Sequence, residues 1–159
     1  MSKDSQRFER TLALAGLEAT EALGARIAAS LKVGDAVALQ GDLGAGKTTL
    51  ARAILHALGV TEEVPSPTFT LVQYYETPKL NVRHYDLYRI ESPAEVEELG
   101  LEEALDDGAA LIEWPERALA WLPRDRLHVS LSLKDGTRQA VVSGPPRWQM
   151  AMAEPHHGG

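Results

Sequence analysis

Residues 41–48 read Gly-Asp-Leu-Gly-Ala-Gly-Lys-Thr, a spacing of residue types that can hold a triphosphate. Glycine lets the main chain approach phosphate oxygens closely, so that backbone N–H groups can wrap them. Lys47 adds an ammonium group for the terminal phosphates, and Thr48 adds a hydroxyl for Mg²⁺. The chain contains no N-K-x-D or T-K-x-D sequence for reading guanine, which favours ATP over GTP. The predicted nucleotide-binding residues are Gly41, Asp42, Leu43, Gly44, Ala45, Gly46, Lys47, Thr48 and Thr49.

The flanking segments have the pattern that a phosphate-binding loop requires, a strand before it and a helix after it. Residues 36–40 form an apolar run typical of a buried parallel strand. Residues 49–58 are strong helix formers with leucine and isoleucine on one stripe, and Gly59 is a typical helix stop. This context makes a chance match improbable.

ATP hydrolysis also needs an acid near the metal and a group that positions the attacking water. Glu113 ends a second apolar run, at the sheet edge where parallel strands place ligands. Asp86 lies in His84-Tyr85-Asp86-Leu87-Tyr88-Arg89, where strand alternation puts His84, Asp86 and Tyr88 on one face. A strand-end acid exposed to solvent, and hydrogen-bonded structural residues around Asp86, are the alternatives.

The segment Ser66-Pro67-Thr68-Phe69 places two hydroxyl groups on a loop stiffened by proline. From there, Ser66 or Thr68 could sense the terminal phosphate and act as a switch. The residues alone support a structural role equally well.

The remaining pattern predicts a three-layer α/β domain like those of P-loop nucleoside triphosphatases. Its mixed sheet has parallel core strands and antiparallel marginal strands. An edge strand (7–14) and an amphipathic helix (17–31) precede the loop, and a hairpin (69–75 and 80–87) follows it. Short helices then begin at Ser92-Pro93, and a second hairpin turns at Asp135-Gly136. We expect one domain over residues 1–143 and a flexible tail over 144–159.

Composition limits the possible partners and compartments. The 159 residues carry a net charge of -7 and no cysteine, which argues against strong direct binding of nucleic acid. There is neither an apolar signal core near Met1 nor a stretch of roughly 20 apolar residues. We therefore expect a soluble cytoplasmic protein without a membrane segment. Residues 91–116 lack Lys and Arg, and they form either a solvated helical face or a docking surface for a basic partner.

Four motifs occur in a fixed order: Leu-Gly-Ala-Gly-Lys-Thr (43–48), Ser-Pro-Thr-Phe (66–69), His-Tyr-Asp-Leu-Tyr-Arg (84–89) and Glu-Trp-Pro-Glu (113–116). Together they closely resemble the bacterial TsaE family, over roughly residues 11–133. That family is the small ATPase of the machinery that installs threonylcarbamoyladenosine beside the anticodon of tRNA.

The resemblance implies an ATPase of low intrinsic activity that acts with the TsaD and TsaB proteins and meets tRNA only indirectly. ATP turnover would reset or activate TsaD. It further implies that Lys47, Asp86 and Glu113 are catalytic, that Thr48 and Glu113 hold Mg²⁺, and that Ser66 and Thr68 belong to a nucleotide-sensing switch. Trp114 is similar to a family tryptophan beside the metal-binding acid.

Two other functions use the same loop. A small-molecule kinase would need an acceptor pocket and usually a lid bearing arginine, and no clear lid lies between Arg89 and Arg117. A nucleotide-gated binding module would use the acidic surface and hydrolyse little ATP. The sequence leaves open the adenine contacts, the hydrolysis rate, whether Asp86 acts directly or through water, the oligomeric state and the role of the tail.

Overall fold

Seven strands form one sheet in the part of the chain that this computed structural model describes, residues 7–42, 44–65 and 71–152. The strands are β1 (Phe8–Leu14), β2 (Ala36–Gln40), β3 (Val72–Glu76), β4 (Asn81–Asp86), β5 (Gly108–Glu113), β6 (Leu127–Lys134) and β7 (Thr137–Gly144). The helices among these residues are α1 (Leu17–Ser30), α2 (Lys47–Ala57), α3 (Pro93–Glu98) and α4 (Leu101–Asp107).

The strand order is β1-β7-β6-β2-β5-β4-β3, with β2 at the centre. Strand β2 runs parallel to β5 and β6, and β4 runs parallel to β5. The pairs β1–β7, β6–β7 and β3–β4 are antiparallel. The predicted mixed sheet with a parallel core and antiparallel margins is confirmed, as are the edge strand and both hairpins.

Helices cover the two faces of the sheet and give it two apolar cores. On one face α1 and α2 pack together, and Gly24 permits this because a Cβ there would lie 2.6 Å from the Ala53 Cβ. On the other face, Val96 of α3 and Leu101 of α4 pack with Ile112 of β5. No helix in the described ranges is long and apolar enough to cross a membrane.

The segment 91–116, which lacks Lys and Arg, contains α3 and α4 before it continues into β5. Ser92 and Glu95 form a reciprocal capping box at the start of α3, as expected from Ser92-Pro93. The backbone N–H groups of Glu91 and Ser92 donate to the Glu95 carboxylate and lower its pKa. Glu97 and Glu102 are exposed, which fits a solvated helical face.

The prediction of a flexible tail from residue 144 is wrong through residue 152. Strand β7 extends to Gly144, and a 3₁₀ helix (Pro146–Trp148) follows it. Trp148 and Met152 are fully buried in the core shared with α1 and α2. The prolines and glycine that suggested fraying instead turn the chain so that these two apolar side chains reach the core. Residues 153–159 lie outside the described ranges.

We expect Trp148→Ala to lower the free energy of unfolding by about 3–5 kcal/mol, because it leaves a cavity in the core. Urea unfolding followed by circular dichroism measures this change. The control is Met150→Ala, since Met150 is 89% exposed and its removal should alter stability by less than about 0.5 kcal/mol. Equal effects of the two substitutions would show that this segment is not packed in solution.

Candidate nucleotide-binding site

The predicted phosphate loop follows β2, the central strand, and leads directly into α2. Gly41 has a φ of +155°, and a Cβ there would lie 2.6 Å from the Leu131 carbonyl oxygen. Only glycine therefore fits at this position. The structure describes the predicted nucleotide-binding residues except Leu43, which lies outside the described ranges together with the predicted switch residues Ser66 and Thr68.

The loop ends at the N-terminus of α2. Gly46 caps this helix in the left-handed conformation, with a φ of 108°. The first turn of α2 contains Lys47, Thr48 and Thr49 and no acidic residue. The first N–H groups of a helix have no acceptor within it, and the helix dipole favours negative charge there. This end of α2 is consequently suited to a phosphate group.

Lys47 is 5% exposed. Its Nζ donates to the carbonyl oxygens of Gly41 at 2.5 Å and Asp42 at 2.9 Å, and lies 4.2 Å from the centroid of the Trp114 ring. Burial lowers the pKa of Lys47, while the carboxylates of Glu113, Asp86 and other nearby acids oppose this shift. An incoming phosphate could replace the two carbonyl acceptors with a charged one, a stronger partner for the ammonium group.

Glu113 joins three elements through one buried carboxylate. Its Oε1 accepts a hydrogen bond of 2.8 Å from the Thr48 hydroxyl on α2. Its Oε2 lies 2.6 Å from His84 Nε2 on β4. Glu113 is 2% exposed and His84 is fully buried. Because water cannot reach the Glu113 carboxylate, each of its oxygens depends on its protein partner for a hydrogen bond. The structure thus brings together Thr48 and Glu113, the two predicted metal ligands.

These two side chains fit Mg²⁺, which prefers oxygen ligands. In the described ranges no group of three or more Asp, Glu, His or Cys side chains could hold a metal ion. The protein would therefore supply part of the coordination shell, leaving the rest to nucleotide phosphates and water, as is usual for Mg²⁺.

Asp86 ends β4 directly beside Glu113, with which it is in register. It is 7% exposed, and its Oδ1 accepts a hydrogen bond of 3.0 Å from the Tyr88 N–H. The predicted shared face holds for His84 and Asp86, but β4 ends at Asp86 and Tyr88 lies in the following turn. The Tyr88 ring instead lies 4.8 Å from the Trp114 ring. The predicted catalytic residues Lys47, Asp86 and Glu113 therefore gather at one end of the sheet.

Two features of the site were not predicted. His84 was only one polar residue of a motif, whereas its contact with Glu113 depends on the pairing of β4 with β5. Arg138, at the start of β7, lies beside the loop, since a Cβ on Gly46 would be 3.6 Å from its Nε. Neither feature has a local sequence signal, because both arise from strand pairing across the sheet.

The chain is similar to known proteins in sequence and in fold. The model of the family described as "Threonylcarbamoyl adenosine biosynthesis protein TsaE" matches residues 14–140. The protein named "tRNA threonylcarbamoyladenosine biosynthesis protein TsaE" of Rickettsia prowazekii is 48% identical over 113 residues, covering 70% of this chain and 78% of that protein. The Nostoc protein of the same name is 41% identical over 136 residues, covering 82% and 83%. The crystal structure of Bacillus subtilis YdiB superposes with a TM-score of 0.76 at 30% identity, covering 91% of this chain and 92% of that one.

Lys47→Met should remove a pH dependence of stability. Burial holds the pKa of Lys47 below its ordinary value of 10.5, so the unfolded chain binds this proton more tightly than the folded chain. Between the pKa of Lys47 in the folded protein and 10.5, Lys47 therefore makes the free energy of unfolding rise with pH.

Urea unfolding of the nucleotide-free protein from neutral pH to about pH 10 measures this effect. The free energy of unfolding of the unaltered protein, relative to Lys47→Met, should increase as the pH rises. A difference that decreases with rising pH would show that the Lys47 ammonium is favoured by its surroundings.

Proposed function

This chain belongs to the TsaE family of threonylcarbamoyl adenosine biosynthesis proteins, and from that membership we propose that it binds and hydrolyses ATP with Mg²⁺. We further propose that it does so as a component of the tRNA threonylcarbamoyladenosine machinery, together with the TsaD and TsaB proteins. The observation that carries the ATPase proposal is the contact of Thr48 with Glu113 beside Lys47.

Binding begins with the phosphates at the N-terminus of α2. The N–H groups of the loop and of the first helical turn donate to phosphate oxygens. Lys47 exchanges its carbonyl acceptors on Gly41 and Asp42 for the terminal phosphates. Trp114 lies over the Lys47 ammonium and restricts where that group can move.

Thr48 and Glu113 would hold Mg²⁺, which when bound neutralises charge on the phosphates. The Thr48 hydroxyl would serve as a metal ligand in place of its hydrogen bond to Glu113. His84 keeps its contact with the other carboxylate oxygen and so fixes the orientation of Glu113. Such a second partner is typical of carboxylates that bind metals.

Asp86 is the proposed group that orients the attacking water. Its position beside Glu113 in the strand register supports a role near the terminal phosphate. Water attacks the γ-phosphorus, the bond to the β-phosphate oxygen breaks, and ADP and inorganic phosphate form. Asp86 accepts the proton of the water, directly or through a second water molecule.

The structure weighs against a small-molecule kinase. Between Arg89 and Arg117, where a lid would have to lie, the chain forms α3, α4 and β5. These elements are anchored in the core by Val96, Leu101 and Ile112 and are therefore poorly suited to open over an acceptor pocket. The nucleotide-gated binding module draws support from the exposed carboxylates on α3 and α4.

Two substitutions separate binding from hydrolysis. We expect Lys47→Ala to weaken Mg-ATP binding at least tenfold, since it removes a charged hydrogen-bond donor. We expect Asp86→Asn to change affinity little but to slow hydrolysis by about 100-fold or more. Calorimetry and phosphate release measure these effects. Asp106→Asn, an exposed change of the same type on α4, is the control and should alter neither.

Reconstitution with TsaD, TsaB and tRNA tests the role in the machinery. Asp86→Asn should fail to sustain repeated threonylcarbamoylation, because the nucleotide cycle stops. If this variant supports modification as well as the unaltered chain does, the nucleotide-gated module is the better account.

A further inference from the structure

Three arginines and a histidine lie together outside the phosphate loop. Together with Ser143 they line a cavity of about 370 Å³, named here the arginine pocket: Arg7, Arg124, Arg126, His128 and Ser143. His128 and Ser143 are in register on β6 and β7. The adjacent Leu127 pairs with Val37, near the start of β2. The phosphate loop follows the other end of β2, and His128 Nε2 lies 2.6 Å from Oε1 of Gln40, the last residue of β2. The pocket therefore adjoins the strand that leads into the loop, although no described residue of the loop lines it.

Backbone carbonyls hold the guanidinium groups of the pocket. Arg7 Nη1 donates to the Arg124 carbonyl oxygen at 2.8 Å, and Arg7 Nη2 donates to that of Arg126 at 3.4 Å. Arg126 Nη1 donates to the Pro123 carbonyl oxygen at 3.1 Å. These neutral acceptors fix the direction of the Arg7 and Arg126 guanidinium groups but carry no charge that would compensate them.

Within the described ranges no carboxylate forms an ion pair with the side chains of the pocket, since the ion pairs there are His84–Glu113 and Arg147–Asp35. The Arg126 Nε is buried and has no hydrogen-bond partner there. Burial and the charge of Arg7 lower the pKa of Arg126. Burial, Arg126 and Arg7 lower the pKa of His128, and the charge of Glu116 opposes this shift. A concentrated positive charge is notable in a chain whose net charge is -7.

We propose that the arginine pocket binds a phosphate group, a function beyond the proposed ATPase activity and separate from its nucleotide site. Guanidinium groups match the oxygens of a phosphate in geometry and charge. The Ser143 hydroxyl supplies a further donor. The oxygens of a phosphate group point in several directions, so they can accept from donors on different sides of the pocket, whereas the two oxygens of a carboxylate lie in one plane. A free phosphate ion and a phosphodiester of RNA both offer this chemistry.

The test uses the full chain with excess Mg-ADP, which fills the phosphate loop. Backbone ¹H–¹⁵N NMR follows separate titrations with inorganic phosphate, a short RNA hairpin and polyglutamate. We expect saturable shifts at Leu127, His128 and Ser143. Arg124→Gln should weaken the binding about tenfold. It leaves intact the backbone carbonyl that Arg7 uses, and Arg124 is exposed, so the fold should survive.

Arg10→Gln is the matched control, because Arg10 is an exposed arginine of β1 outside the pocket. It should change the affinity less than about twofold. Shifts with phosphate alone would assign the pocket to the free ion, and tighter binding of RNA would assign it to a phosphodiester. The proposal is overturned if neither binds, if both variants behave alike, if polyglutamate binds as tightly, or if the shifts appear at Gly44 and Lys47 instead.

Discussion

The site depends on one buried carboxylate. Glu113 is 2% exposed, and a carboxylate removed from water is stable only when both oxygens are hydrogen-bonded. Thr48 is the partner of one oxygen and His84 is the partner of the other. The hydrogen bonds of this one side chain on β5 therefore link it to α2 and to β4. The same bonds keep Thr48 and Glu113 beside each other at the helix N-terminus, where a metal–nucleotide complex would need both.

The strand order makes this arrangement possible. The strands β2, β5 and β4 are adjacent and parallel, so their carboxyl ends lie together. The phosphate loop, Glu113 and Asp86 therefore lie at one edge of the sheet, although they come from three distant parts of the chain. The cost is a lysine buried among carbonyls and beside a tryptophan, with a lowered pKa. A bound triphosphate would give the Lys47 ammonium a charged acceptor and so favour its protonated form.

The parts of the fold that depend on local sequence patterns could be predicted from the sequence. The strand, loop and helix around Gly41 and the hairpin at Asp135-Gly136 follow from residue type and spacing. Thr48 and Glu113 were each predicted as metal ligands, but their contact depends on the pairing of β2 with β5. The His84–Glu113 contact could not be predicted, because it depends on the register of β4 against β5. The packing of Trp148 was missed for a related reason, since prolines indicate a turn but not where the turn directs the chain. The roles of Ser66 and Thr68 stay predictions.

We propose that Thr48 and Glu113 together hold Mg²⁺ when nucleotide binds. A crystal structure of the chain with Mg²⁺ and a non-hydrolysable ATP analogue is the test. We expect the metal to lie between Thr48, Glu113 and the phosphates, with Lys47 moved from the Gly41 carbonyl to a phosphate oxygen. A nucleotide bound while Thr48 still donates to Glu113 and Lys47 still contacts Gly41 would contradict it.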